Sequence, residues 1–416
     1  MKEVLHSMNA LRVIAEYLVV RVHIIASLEV GTGMFVRDLM SFFFVLSGFV
    51  MMYTHHDSCF GSWQQKVDFW VGRWIKIYPS FIVNFSFHVP FLVNDIIHLD
   101  HGCVYGMYCA SMQLLFLSCW AGCGVHHIYN GPSWYLSTLA WLWLLFPLMH
   151  GTLKNVFSSM HWGKMGLVSV ASTGVIYLFS GYDVFTICTL PVLRLGEFVI
   201  GCGIACLMQE PQPEQLSFYR WSPVALVFVY FMLVYTLLGL PHGMNWLCLN
   251  ESMYDTGCRI WHKADKIQAT PPCYVVWDKF FNKHAMLWAV IVYTIASAEK
   301  AGDTGVVMTV LGHDIFKFFS TFSLSLYLGH TIMGQILTGI TRAIGWGDFW
   351  HDDTILICVY VMCYMQHLLT DRISRLVHDK CKYSFKAELN GTRFSVVPCF
   401  KINEFIQPPE QAGSTF

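Results

Sequence analysis

Residues 11–23 read LRVIAEYLVVRVH. The stretch sits at the start of an apolar run, yet it carries Arg12, Glu16, Arg21 and His23. Arg12 and His23 are eleven positions apart, which at helical geometry is about three turns, so both project from one face with an axial separation of about 16 Å. Glu16 lies one turn above Arg12, where an i, i+4 pair is possible. Arg21 points away from that face. Insertion into a bilayer centre costs about 2.5–3.5 kcal/mol for such a charged group, which is tolerated mainly where it lines a bundle interior or a watery cavity. Two readings therefore stand. Either the face is functional, or Arg12 and Glu16 anchor the helix at the interface while His23 is satisfied by a neighbouring carbonyl.

The rest of the chain makes the bilayer the relevant solvent. Of 416 residues, 55% are hydrophobic, 16% aromatic and only 13% charged, with a mean hydropathy of +0.48, whereas soluble domains carry about 25% charged residues. The apolar residues fall in blocks of roughly twenty, long enough to cross about 30 Å of hydrocarbon. The expectation is an all-α polytopic membrane bundle of about ten transmembrane helices, both termini cytoplasmic. The expected spans are about 9–30, 36–54, 77–98, 134–152, 165–182, 190–208, 222–241, 284–299, 315–341 and 354–370. Residues 1–370 form the membrane domain, and 371–416 a cytoplasmic tail.

Loop charges orient the bundle. With the N-terminus inside, the cytoplasmic segments hold Lys66, Arg73, Lys76, Lys154, Lys164, Arg220 and Lys300, and the tail holds Arg372 and Arg375, while the outer segment 99–133 has no Lys or Arg. That asymmetry is the positive-inside pattern. A further apolar block, 104–121, would break it as an eleventh span, so it is expected at the outer surface or re-entering against other helices. The long outer segment 242–283 is basic, but long loops constrain orientation less. Its Cys248, Cys258 and Cys273 either oxidise, one pairing with Cys103, Cys109, Cys119 or Cys123, or stay free thiols.

Several function classes are disfavoured. A formal net charge of −1 supplies no basic stripe for nucleic acid. The apolar N-terminal run is interrupted by charges and lacks the pattern of a cleavable signal. The cysteines show no paired CxxC spacing, so no metal site is expected.

Five further stretches accompany the first: FFFVLSGFV at 42–50, RWIKIYP at 73–79, PSWYLSTL at 132–139, RLGEFVIG at 194–201 and SLSLYLGH at 323–330. Arg73 and Lys76 share a face of a short helix at i, i+3. In order and spacing these stretches resemble the acyltransferase 3 family of membrane acyltransferases, over about residues 7–370. The matching positions are Arg12 and His23, Phe43 to Phe49, then Arg73, Lys76, Ile77, Tyr78 and Pro79, Trp134 to Ser137, then Arg194, Glu197, Phe198 and Gly201, and finally Ser323 to His330. The chain departs from the pattern at Ser41, Lys76 and Leu139, and Glu16 stands where small apolar residues are common.

The resemblance implies an integral membrane enzyme that moves an acyl group, often acetyl, from acyl-CoA to a hydroxyl of a sugar, lipid or small metabolite, with acyl-CoA as co-substrate and no permanently bound cofactor. A hydroxyl attacks a thioester only once a base takes its proton, and histidine titrates near neutrality, which suits His23. Arg12 fits a donor-site or transition-state cation, and Arg73 and Lys76 fit phosphate ligands. Glu197 and Arg194 read as a buried pair shaping the cavity or merely the structure. Trp134, Tyr135 and Ser137 line an acceptor pocket or pack an interface. His330 is catalytic support or a packing histidine. The alternative class is a transporter whose buried Arg, Glu and His line a pathway, although no symmetric pair of broken helices marks two inverted halves.

Overall fold

A computed structural model describes residues 5–25, 32–98, 102–121, 130–179, 188–209, 284–345 and 352–389. All regular structure among them is helical. The helices are α1 His6–Ile25, α2 Thr32–His55, α3 Trp63–His98, α4 Gly102–Leu114, α5 Ser133–Val156, α6 His161–Leu178, α7 Pro191–Leu207, α8 Ala285–Lys300, α9 Val306–Leu311, α10 Asp314–Ala343 and α11 Asp352–Leu389, with a 3₁₀ turn at Ser118–Trp120. Among the described residues, two stretches, Ser133–Val156 and Thr354–Arg375, are long and apolar enough to cross a membrane by length and composition. The expected span 222–241 and the cysteines at 123, 248, 258 and 273 lie outside the described residues. Cys109 and Cys119 are buried free thiols.

Packing is tightest between α2 and α7. A Cβ on Gly48 would lie 1.9 Å from the Phe198 carbonyl oxygen, and one on Gly201 would lie 2.0 Å from the Val45 oxygen. Backbone therefore runs against backbone, the small-residue packing that joins helices when no hydrophobic force distinguishes lipid from side chain. Phe44, Phe49, Phe198 and Ile200 fill the space on either side of this seam.

Polar contacts tie the helix ends together. Glu299, in the last turn of α8, accepts from the His6 N–H at 2.6 Å, the Ser7 N–H at 3.0 Å and the Ser7 hydroxyl. This places a carboxylate on the positive N-terminus of α1. Lys300 donates to the Met208 carbonyl at 2.7 Å, a cation at the negative end of α7. Lys154, in the last turn of α5, reaches the His56 carbonyl just past α2 at 2.9 Å, and Phe157 lies beside Gly203 of α7. The N-terminus of α1 and the C-termini of α2, α5, α7 and α8 thus gather at one end of the bundle.

Two expectations change. Helix α3 begins at Trp63, not near residue 77, so most of the expected 55–76 loop is helical and RWIKIYP sits inside a long helix that carries Pro79 and Pro90. The cause is a capping box: the Gln65 N–H donates to the Ser62 hydroxyl at 3.2 Å, and the Ser62 N–H donates back to the Gln65 side chain at 3.0 Å. Trp63, Val67, Trp70, Trp74 and Ile77 then recur at helical spacing, and the chain continues through Pro79 without the hydrogen bond its nitrogen cannot make. At the other end, α11 runs past residue 370 to Leu389, so the start of the expected tail continues the last helix.

The 104–121 block folds as the 13-residue α4 and the 3₁₀ turn. At about 20 Å, α4 is too short to cross the hydrocarbon. Phe116, at φ 54°, turns the chain back, and its ring packs on Phe81 and Trp74 with centroids 4.5 and 4.9 Å away.

Candidate functional site

Three side chains of α1 meet α10 in matching order. Arg12 donates to the Ser320 carbonyl at 3.5 Å and to Asn9 at 3.4 Å. The Ser323 hydroxyl donates to Glu16 at 2.5 Å. His23 Nδ1 lies 2.7 Å from His330 Nε2. Both residue numbers rise together, so the helices are parallel, and the common face expected for Arg12 and His23 is the one turned to α10.

Arg12 and Glu16 do not take up the i, i+4 pairing that their spacing permits. Each is bound instead to a group of α10, and Arg12 Nε and Glu16 Oε1 are buried without a hydrogen-bond partner. The serine hydroxyl and the carbonyl of the facing helix out-compete the local pair.

The two imidazoles meet edge to edge further along this seam. Their planes differ by 5° and their centroids are 5.0 Å apart, which with the short N···N contact means edge-to-edge, nearly coplanar rings. His330 is fully buried, while His23 is exposed. His330 Nδ1 faces the Tyr327 carbonyl at 2.8 Å and the Leu326 carbonyl at 3.2 Å, both on its own helix.

Tyr327 extends the site toward α5. Its hydroxyl donates to the Pro132 carbonyl at 2.9 Å, and its ring meets Tyr135 edge-on at 5.4 Å. The Tyr135 hydroxyl lies 3.2 Å from the Ser47 hydroxyl, and its ring packs on Phe44 at 5.0 Å. Beyond Phe44, buried Arg194 bonds both carboxylate oxygens of buried Glu197 at 3.0 Å and the Cys188 carbonyl at 2.8 Å. Its guanidinium lies over Phe44 at 5.1 Å and near Trp134 at 5.9 Å. Arg194, Glu197, Trp134 and Tyr135 are thus joined through aromatic rings, behind Tyr327 as seen from the imidazoles.

Ser137 belongs elsewhere. Its hydroxyl donates to the Phe116 carbonyl at 2.7 Å and accepts from the Cys119 N–H at 3.2 Å. Both bonds pin the chain after α4 to α5, so the hydroxyl is engaged with backbone.

Arg73 and Lys76 diverge. Arg73 turns inward, donating to His55 Nε2 at 3.0 Å over the rings of Phe69 and Trp143. It borders a small apolar hollow with Trp70, Trp74, Phe116 and Leu136. Lys76 is exposed. Arg73 meets α2 and α5, not the seam between α1 and α10.

Sequence reasoning passed over three carboxamides. Asn84, Asn130 and Gln366 are buried. Asn130 Nδ2 donates to Asn84 Oδ1 at 3.0 Å and to the Leu328 carbonyl at 2.9 Å, and Gly329 leaves the gap into which Gln366 Oε1 and Asn84 Nδ2 project. For Asn84 and Gln366 the signal was an uncharged amide inside an apolar run, easily lost when only ionisable groups are weighed, while Asn130 stands in the polar turn YNGPS. His55, the partner of Arg73, is the last residue of α2.

An acyltransferase domain matches residues 5–365 of this chain, and the protein is an acyltransferase. It belongs to the acyltransferase 3 family, as the six stretches of sequence had implied. It is similar to acyltransferase MdmB of Streptomyces mycarofaciens, with 26% identity over 367 residues, covering 79% of this chain and 81% of that protein. No solved structure matches. Membership in this family implies an acyl donor and a hydroxyl acceptor.

Proposed function

We propose that this acyltransferase crosses the membrane ten times with both termini cytoplasmic, and transfers an acyl group, acetyl in the simplest case, from acyl-CoA to a hydroxyl of a sugar, lipid or small metabolite. The gathered helix ends support the topology, because the N-terminus and the ends near residues 55, 154, 208 and 300 are the ones that positive charge assigns to the inside. The C-termini of α7 and α8 lie together, so the start of α8, about 24 Å up its axis, stands at the opposite end from Met208. An odd number of crossings between them agrees with a span near 222–241. Parallel α1 and α10 fit first and ninth spans.

In this reading His23 is the general base. It takes the proton of the acceptor hydroxyl as the oxygen attacks the thioester carbon. The tetrahedral intermediate then expels the CoA sulfur, and the thiolate regains a proton from the imidazolium. Arg12, on the same helix face and about 16 Å along the axis from His23, is the donor-site cation. Arg73 suits a CoA phosphate because its described partners, an imidazole and aromatic rings, are neutral and leave its charge uncompensated. Exposed Lys76 adds a second cation one turn on.

The observation that carries the proposal is an exposed imidazole on a membrane helix, backed at 2.7 Å by a buried one. The test is transfer from radiolabelled acetyl-CoA in membranes holding wild-type protein or His23→Ala at equal amounts. A loss of about 100-fold or more is expected, the usual contribution of a general base. Undiminished transfer removes His23 from the mechanism.

A further inference from the structure

We infer that His330 is a positioning residue: it dictates which nitrogen of His23 carries the proton and leaves His23 Nε2 as the atom that accepts one from substrate. The inference rests on the assignment of His23 as base and adds how that base is set.

The argument is one of hydrogen-bond valence. His330 Nδ1 faces two backbone carbonyl oxygens, at 2.8 and 3.2 Å. A carbonyl oxygen only accepts, so Nδ1 must carry the hydrogen. A neutral imidazole has a single N–H, hence His330 Nε2 presents a lone pair. That lone pair lies 2.7 Å from His23 Nδ1, so the shared proton sits on His23 Nδ1. The free lone pair of His23 is then on Nε2, the ring edge turned away from His330. The opposite arrangement would set a bare His330 Nδ1 against the carbonyl lone pairs, a repulsive contact inside a buried site.

The coplanar rings fit this assignment, because an N–H and a lone pair both lie in the ring plane and align best when the planes coincide. The anchor is built into α10: residue 330 bonds carbonyls three and four positions back, so the tautomer of His330 follows from the helix itself. His330 is fully buried, which keeps water from competing for either nitrogen. When His23 takes a proton at Nε2, its Nδ1–H bond to His330 becomes charge-assisted and strengthens. No bond to His330 forms or breaks, and the proton leaves by Nε2 to the departing thiolate. A base oriented by a third group is the general arrangement for such catalysis, here with an imidazole and a peptide carbonyl behind the base.

Two substitutions separate positioning from packing. His330→Phe keeps a ring and removes the acceptor, whereas His330→Gln restores an oxygen acceptor near the Nε2 position. Acetyl-CoA turnover is expected to fall about 100-fold in kcat for the phenylalanine variant, with KM for acetyl-CoA within about threefold, and the glutamine variant to recover at least about tenfold of the loss. Solid-state ¹⁵N NMR of histidine-labelled protein, with His23 signals identified by their absence in His23→Ala, provides an arm independent of turnover. Wild type should show a protonated Nδ1 and a bare Nε2 on His23, and the phenylalanine variant a mixture of tautomers. A wild-type spectrum with the proton on Nε2 overturns the inference, as does a phenylalanine variant with undiminished kcat or a glutamine variant no better than phenylalanine. Full activity of His23→Ala would instead refute the base assignment, and the spectrum would still decide the tautomer.

Discussion

Alanine at Gly48 tests the seam on which the bundle is built. The added methyl would fall 1.9 Å from the Phe198 oxygen and 2.8 Å from its carbonyl carbon. Ordinary contact begins near 3.4 Å, so α2 and α7 must separate by about 1.5 Å at this point. The atoms met are backbone, which no rotamer change can move aside. Overpacking of this kind costs about 1–3 kcal/mol, and the upper part of that range is expected. Gly201→Ala meets the Val45 oxygen at 2.0 Å across the same seam, so one displacement relieves both clashes. The double variant should therefore be little worse than either single one, a marked departure from additivity. Purified protein heated in detergent, with the folded fraction read by size exclusion, should lose roughly 5 °C in midpoint for each single substitution. A wild-type midpoint for Gly48→Ala, or a double variant equal to the sum of the singles, would refute the backbone-to-backbone reading.

Other perturbations follow from particular contacts. Replacing Arg194 by Leu removes the guanidinium bonded to both oxygens of the buried Glu197 carboxylate and should cost about 3–5 kcal/mol, while Arg194→Leu with Glu197→Leu should regain most of it. Yields of folded protein check this, and a double variant as poor as the single would point to a role beyond structure. Ser137→Ala removes the anchor of the Phe116–Cys119 backbone and should cost about 1–2 kcal/mol without changing KM for acetyl-CoA; a raised KM would return Ser137 to the pocket. Glu299→Gln weakens the clamp on the first turn of α1 by about 1–2 kcal/mol, and a thermal midpoint equal to wild type would contradict that contact. Arg73→Lys loses the guanidinium bond to His55 and the ring contacts, and KM for acetyl-CoA should rise about tenfold. Lysine performing as well as arginine would show that charge alone is required there.

Much of the helical architecture was legible because it depends on local periodicity. Apolar blocks of bilayer length predicted the helices, and the angular spacing of Arg12 and His23 placed them on one face, which both do share. The start of α3 was also written in the chain, in the Ser62–Gln65 capping box and the stripe from Trp63 to Ile77. It was obscured by Pro79, which reads as a helix start but here lies inside a helix. Spacing misled for Arg12 and Glu16, since i, i+4 geometry permits a pair but does not rank it against Ser320 and Ser323, some three hundred residues away. Arg73 and Lys76 show the same limit: a common stretch of helix did not give them a common environment.

The sequence alone determined the family, the helical class and the polar face of α1, because motif order and helical period are properties of neighbours along the chain. Only the tertiary structure decided what that face meets. It brought His330 to within 2.7 Å of His23, turned Ser137 to the backbone after α4, and showed that Gly48 and Gly201 admit the facing helix. Those outcomes depend on which helices touch and at what depth. That is settled by close packing and by the need of each buried polar group for a partner, which no local pattern encodes.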